Sequence, residues 1–107
     1  VDRFTSKSEG CMLSVDVNDK IIDIKIVREE LSEYCDSYYK SCGMIKLSNE
    51  LGDYFYSWLN TDVKNGNINI YYDLVLAKNI KLSDLYVYFI NNLKWQEIDD
   101  INDLQTA

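Results

Sequence analysis

The sequence predicts an α+β fold, because its hydrophobic residues recur with a period of two in some segments and of three to four in others. The chain has 107 residues, of which 47% are hydrophobic. This size and composition suit one core, so residues 1–107 are expected to form a single domain. The expected architecture is an antiparallel sheet, opened by a β-hairpin and covered by two or three helices.

A β-hairpin is predicted over about residues 11–27, after a polar segment, residues 1–10, that is expected to be a loose lead-in. Two stretches alternate as half-buried strands do. The residues that share the apolar face are Leu13, Val15 and Val17 in the first stretch and Ile22, Ile24 and Ile26 in the second. Asn18-Asp19 between them tolerates a positive φ and therefore suits a tight turn.

An amphipathic helix is predicted over about residues 28–41, where the hydrophobic spacing changes to three and four residues. The expected apolar stripe is Leu31, Tyr34, Cys35, Tyr38 and Cys42. The opposite face is expected to carry Glu29, Glu33, Asp36 and Lys40. On this interpretation Cys35 and Cys42 are small buried hydrophobic residues.

A second helix is predicted over about residues 48–60, with Ser48 as its N-cap. Its helically spaced apolar residues are Leu51, Tyr54, Phe55, Trp58 and Leu59. Because aromatic residues favour pleated surfaces, a strand over residues 54–59 is the alternative.

A further strand is predicted over about residues 68–76, after a turn at Asn65-Gly66. The alternating residues are Ile68, Ile70, Tyr72, Leu74 and Leu76. The pattern indicates a long, central strand.

A last helix is predicted over about residues 83–95, with Ser83 as its cap. Its apolar stripe is Leu82, Leu85, Phe89 and Leu93. The competing interpretation is a hairpin over residues 86–98 that turns at Asn91-Asn92.

Cysteine usage favours a reducing cytoplasm, because the three cysteines are an odd set without CxxC spacing. The apolar runs are far shorter than the roughly 18 residues that cross a bilayer, and no leader sequence is recognisable. Neither export nor membrane insertion is therefore expected. Abundant isoleucine, asparagine, lysine and tyrosine are typical of AT-rich bacterial or phage coding sequences.

The residue types argue against catalysis. The chain has no histidine, which excludes catalytic triads built on an imidazole base. Its cysteines and acidic residues lack metal-ligand spacing, and its four glycines form no phosphate-binding loop. We therefore expect no enzyme, cofactor, metal or small-molecule substrate. Direct nucleic-acid binding is disfavoured too, because 11 basic residues face 18 acidic ones.

The candidate functional surface is acidic and aromatic. Residues 97–107 form an acidic C-terminal segment, and no lysine or arginine follows Lys94. The whole chain has a formal charge of -7 and nine tyrosines, a residue common at binding hot spots. The predicted partner-binding residues are Glu97, Asp99, Asp100, Asp103, Trp95, Glu29, Glu33, Asp36 and Tyr39.

In size, acidity and AT-rich composition the chain resembles the immunity proteins that bacteria keep against toxin nucleases, including those of contact-dependent inhibition systems. The resemblance implies a protein that binds a basic toxin and blocks its active site. An antitoxin or a phage anti-defence protein fits the same composition. The alternative class is an assembly or adaptor subunit whose acidic surface serves solubility, and which pairs through an apolar surface such as the hairpin edge.

Overall fold

The computed structural model describes residues 1–33 and 35–107. Within these residues one antiparallel sheet contains the strands β1 (Asp2–Arg3), β2 (Gly10–Val15), β3 (Ile21–Val27) and β4 (Tyr38–Lys40). The helices are α1 (Asn49–Lys64), α2 (Tyr72–Lys78) and α3 (Ile101–Thr106), with a turn of 3-10 helix at Ile80–Leu82. The predicted α+β fold is confirmed. In the described part of the chain, every helix is too short or too polar to span a bilayer.

The strand order of the sheet is β1-β4-β2-β3. Leu13 in β2 lies opposite Ile24 in β3 and opposite Tyr39 in β4. Residues opposite each other in an antiparallel sheet project to the same face, so these three side chains share one face.

The predicted hairpin is confirmed, and Asp16 holds its turn. The Asp16 carboxylate accepts hydrogen bonds from the backbone N–H groups of Asn18, at 2.8 Å, and Lys20, at 3.0 Å. Asp19 adopts a φ of 63°, in the left-handed region that aspartate tolerates. The turn therefore lies where Asn18-Asp19 predicted it.

Both faces of β2 are buried. Leu13 belongs to the larger hydrophobic cluster, which includes Leu76 and Leu85 and packs against α1 and α2. Met12 points to the other face and belongs to a smaller cluster with Phe4. Val17, which the alternation had placed on the apolar face, is 98% exposed because it lies in the turn after β2 ends.

The start of the chain is more ordered than the loose lead-in predicted for residues 1–10. Strand β1 pairs with β4, with Asp2 opposite Lys40. The Phe4 side chain has no exposed surface. This single aromatic residue anchors a polar segment by filling the space between Met12 and Val27.

The helix predicted over residues 28–41 is wrong. Its last part is strand β4, which pairs with β2 on one side and with β1 on the other, and these pairings override the local spacing. Residues 28–33 and 35–37 form a loop, in which the backbone N–H of Leu31 donates to the carbonyl oxygen of Ser6 at 3.2 Å. Cys35 is exposed and Cys42 half-buried, so the prediction of two buried cysteines is also wrong. Tyr34, assigned to the stripe, lies outside the described residues.

The helix predicted over residues 48–60 is confirmed as α1, and the alternative strand is not formed. The Ser48 hydroxyl oxygen accepts a hydrogen bond from the backbone N–H of Leu51 at 3.2 Å, as expected of an N-cap.

The strand predicted over residues 68–76 is wrong, because this segment contains most of α2. Helix α2 buries the consecutive residues Val75 and Leu76 completely, although a strand would direct them to opposite faces. Of the alternating apolar residues, Tyr72, Leu74 and Leu76 lie in α2, and Ile68 and Ile70 precede it. The strands that complete the sheet are β1 and β4.

The helix predicted over residues 83–95 is also wrong. An extended segment runs beside the hairpin turn, where the backbone N–H of Ile21 donates to the carbonyl oxygen of Leu85 at 2.8 Å and Lys20 forms a bridge with Tyr86. The competing hairpin is correct only in its turn, where Asn92 has a φ of 62°. Its second strand is absent from the described residues. The backbone of this segment pairs with the hairpin turn, which is distant in sequence, and this pairing is formed in place of helical hydrogen bonds.

Candidate partner-binding surface

The acidic C-terminal segment contains α3, which begins with a capping box. The Asp100 carboxylate accepts hydrogen bonds from the backbone N–H groups of Asn102, at 2.7 Å, and Asp103, at 3.0 Å. The Asp103 carboxylate in turn accepts from the N–H groups of Asp99, at 3.0 Å, and Asp100, at 3.2 Å. The hydrogen bonds from backbone N–H groups hold the pKa of Asp100 below its usual value. Two of the segment's four predicted carboxylates are therefore engaged in capping.

A third carboxylate, that of Glu97, forms an ion pair with Lys40 of β4 at 2.8 Å. The Lys40 ammonium also lies 5.6 Å from the ring centre of Trp95. The Trp95 indole N–H donates to the Asp2 carboxylate at 2.8 Å and is the main cause of the lowered pKa of Asp2. Glu97 and Trp95 thus attach the segment to the sheet, which leaves them less free to contact a partner.

Between this segment and the sheet lies a cleft of about 620 Å³. Six carboxylates and three basic side chains line it: Asp2, Glu9, Glu97, Asp99, Asp100 and Asp103, with Arg3, Arg28 and Lys40. Six negative charges against three positive ones leave an excess of three. The cleft is therefore acidic, but less so than the C-terminal sequence alone indicated.

A group of exposed carboxylates lies in the loop before β4. Glu29, Glu33 and Asp36, together with Glu30, are exposed, and we name residues 29–33, 35 and 36 the acidic loop. Across the described residues, none of these four carboxylates pairs with a basic group. Arg28, the residue that precedes the loop, lines the cleft, so loop and cleft adjoin at this residue.

Arg28 positions the start of the acidic loop. Its guanidinium donates a hydrogen bond to the Tyr71 hydroxyl and lies 5.2 Å from the centre of the same ring. Tyr71 precedes α2, so this contact joins the loop to the helical layer. Glu30 and Arg28 were not among the predicted partner-binding residues. Counting the charges of residues 28–36 identifies Glu30, whereas no local pattern indicates a contact between residues 43 positions apart.

The tyrosines divide into exposed and structural residues. Tyr56, Tyr71 and Tyr88 are exposed, at 69%, 52% and 85%. Tyr39 is half-buried and meets Phe89 edge to face, with ring centres 5.0 Å apart. Tyr39 therefore contributes to the core and offers a partner less surface than the sequence indicated.

A second feature, an apolar cavity of about 560 Å³, was not predicted. Its inner wall contains core residues, among them Leu13, Leu76 and Leu85. Its rim includes Met44 and Tyr88, which are 78% and 85% exposed. Sequence patterns cannot distinguish such rim residues from core residues, because both are apolar.

Asp73 and Cys11 meet near this cavity. Burial raises the pKa of Asp73, and the hydrogen bond from the Cys11 thiol partly opposes that shift. Burial, with the nearby Asp73 charge, raises the pKa of Cys11 to about 12. The Cys11 thiol therefore stays protonated near neutral pH and is a poor nucleophile.

Comparison with protein-family models, curated proteins and solved structures gives no match to this chain. In the described part of the chain, no group of three or more cysteine, aspartate or glutamate residues is placed to hold a metal ion. The candidate site is therefore defined by three structural features of this chain: an acidic loop, an acidic cleft and an apolar cavity.

Proposed function

We propose that this chain binds a basic protein and neutralises it, as an immunity protein blocks the active site of a toxin nuclease. The observation that carries the proposal is the acidic loop, where four exposed carboxylates have no ion-pair partner in the described structure. The adjoining cleft adds an excess of three negative charges.

Electrostatics gives such a surface a specific use. Nucleases bind phosphates through lysine and arginine side chains, so their active sites attract an acidic protein of complementary shape. Unpaired carboxylates contribute most to this attraction, because carboxylates already paired with lysine produce little external field. The acidic loop is therefore expected to contribute to the encounter, and exposed tyrosines such as Tyr71, which contacts Arg28 at the start of the loop, supply contact area.

The test is a matched pair of charge reversals. The loop variant is Glu29→Lys with Glu33→Lys, and the control is Glu50→Lys with Asp53→Lys on α1, which changes the net charge equally at two other exposed carboxylates. The ligand is the protein encoded beside this chain in its source genome, and its affinity is measured by calorimetry. The loop variant should bind at least roughly tenfold more weakly than wild type, and the control less than about threefold. Equal affinities of the loop variant and wild type contradict the proposal.

A second candidate function, an assembly or adaptor subunit, is favoured by the exposed apolar rim of the cavity. Met44 and Tyr88 belong to the residue types enriched in protein interfaces. An interface centred there should survive high salt, because apolar contacts are not screened. Persistence of the complex at about 1 M salt supports this candidate, and dissociation supports the electrostatic one.

A further inference from the structure

The apolar cavity contains two charged side chains in different settings. Asp73 is half-buried, whereas Lys46 is exposed. The walls between them are mainly aliphatic, with Leu13, Ile24 and Leu76 among the core residues that face the space. The cavity volume of about 560 Å³ lies within the range of sites that bind small groups.

The Asp73 carboxylate lacks a cationic partner. The groups that interact with it, the Cys11 thiol and the Asp73 backbone N–H, are both neutral, and no ion pair to it is formed within residues 1–33 and 35–107. Burial of an ionised carboxylate is unfavourable unless a cation compensates, and the raised pKa of Asp73 reflects this penalty. A positive group that entered the cavity would relieve the penalty.

We propose that this cavity binds a lysine side chain of the basic partner. The four methylene groups of lysine suit the aliphatic wall, and its ammonium group suits the carboxylate of Asp73. The exposed rim residues Met44 and Tyr88 would close around the stem. This inference rests on the proposed function, since it assumes a partner rich in lysine, and it gives that partner one specific anchor.

The test uses n-butylammonium, which has the chemistry of a lysine side chain, as the probe in a titration followed by amide NMR. n-Butanol and butyrate are the comparison probes, because they keep the chain length and change the head group. Butylammonium is expected to shift signals of cavity residues such as Leu76 and Val87, and to bind roughly tenfold more tightly than butanol. Equal binding of the two probes, stronger binding of butyrate, or shifts confined to residues outside the cavity would overturn the inference.

Two variants assign the head-group preference to its residues. Asp73→Asn removes the negative charge and should abolish the difference between butylammonium and butanol. Lys46→Ala removes the competing positive charge from an exposed position and should strengthen butylammonium binding about two- to threefold, which keeps the inference testable if Asp73→Asn does not fold. An unchanged preference in Asp73→Asn, or weaker binding in Lys46→Ala, contradicts it. No partner protein is needed, so a failure here leaves the reversal of Glu29 and Glu33 as an independent test of the proposed function.

Discussion

At the residue scale, the environments of Cys11 and Cys35 give their thiols opposite tendencies to ionise. Cys35 is exposed, and hydrogen bonding with Ser37, whose hydroxyl oxygen lies 3.1 Å from its sulfur, lowers its pKa. Cys11 is half-buried, and its pKa is raised to about 12. Because the thiolate is the reactive form, exposure and a lowered pKa both favour reaction of Cys35. Burial and a raised pKa both disfavour reaction of Cys11.

We therefore predict that iodoacetamide at about pH 8 alkylates Cys35 more than roughly tenfold faster than Cys11. Timed quenching followed by peptide mass spectrometry measures both rates in one sample. Comparable rates would show that Cys11 is more accessible, or more readily ionised, than its position beside Asp73 implies.

Phe4 provides a stability test at the same scale. Replacing its fully buried ring by alanine should lower the free energy of unfolding by about 3–5 kcal/mol, because it leaves a cavity beside Met12 and Val27. Val17→Ala, at a 98% exposed position, is the control and should change it by less than about 0.5 kcal/mol. Urea denaturation measures both values, and a small effect of Phe4→Ala would indicate that the first residues are not docked.

At the scale of elements, α1 packs only partly against the core. None of its residues is fully buried, although Leu51, Phe55 and Trp58 pack partly against the core. Helical propensity and capping therefore add to the stability that this partial packing gives the helix.

Gly52, inside α1, should consequently be replaceable with a gain. A Cβ atom at this position meets nothing within 4 Å, so Gly52→Ala is expected to raise the free energy of unfolding by about 0.5–1 kcal/mol. Gly66 is equally open but has a φ of +84°, so Gly66→Ala, the control, should destabilise the protein through backbone strain. Thermal unfolding of both variants gives the comparison, and a loss of stability in Gly52→Ala contradicts this view of α1.

Helix α3 should depend on pH through its N-cap. The pKa of Asp100 in the folded chain is lowered below 3.8, so the unfolded form binds the proton more tightly. The contribution of the cap is therefore fully present above pH 3.8 and is lost as the pH falls through the lowered pKa. Backbone 13C shifts of Ile101–Thr106 should lose their helical values in that range, and Asp100→Ala should lack them at neutral pH. Helical shifts in Asp100→Ala would assign the helix another cause.

The elements that the sequence predicted correctly are those whose stabilising contacts are local. The hairpin has a turn made by Asp16 and Asp19, and α1 has its cap at Ser48, so short-range patterns were sufficient. The predictions are wrong for the segments that form β4, α2 and the extended segment near Tyr86. Partners distant in sequence stabilise β4 and that extended segment directly. The apolar spacing in residues 28–41 is helical, so it could not show that the last part of this segment pairs with β2.

In the candidate site, too, some features were predictable from the sequence and others were not. Glu29, Glu33 and Asp36, predicted on the polar face of a helix, are exposed as expected, although they lie on a loop and not on a helix. The sequence could not reveal the pairing of Glu97 with Lys40, because the two residues come together only through the sheet and the returning C-terminal segment. This tertiary ion pair leaves one fewer of the predicted C-terminal carboxylates free to contact a partner.

At the scale of the whole molecule, the net charge of -7 is distributed unevenly. Four ion pairs neutralise acidic groups in the described structure: Lys20–Asp84, Lys25–Asp23, Lys40–Glu97 and Lys78–Asp62. Such exposed pairs add little stability, but they remove charge from the external field. Carboxylates without an ion pair in the described structure are clustered in the acidic loop and in the cleft, so both places contribute negative charge to the external field.

The most direct test of this account is the association rate constant with the protein used as ligand in the charge-reversal test, measured by stopped flow from about 0.02 to about 0.5 M salt. The account predicts a fall of at least roughly tenfold over this range for wild type, and a much flatter dependence for the variant reversed at Glu29 and Glu33. A wild-type rate that does not change with salt would contradict the claim that the acidic loop attracts the partner.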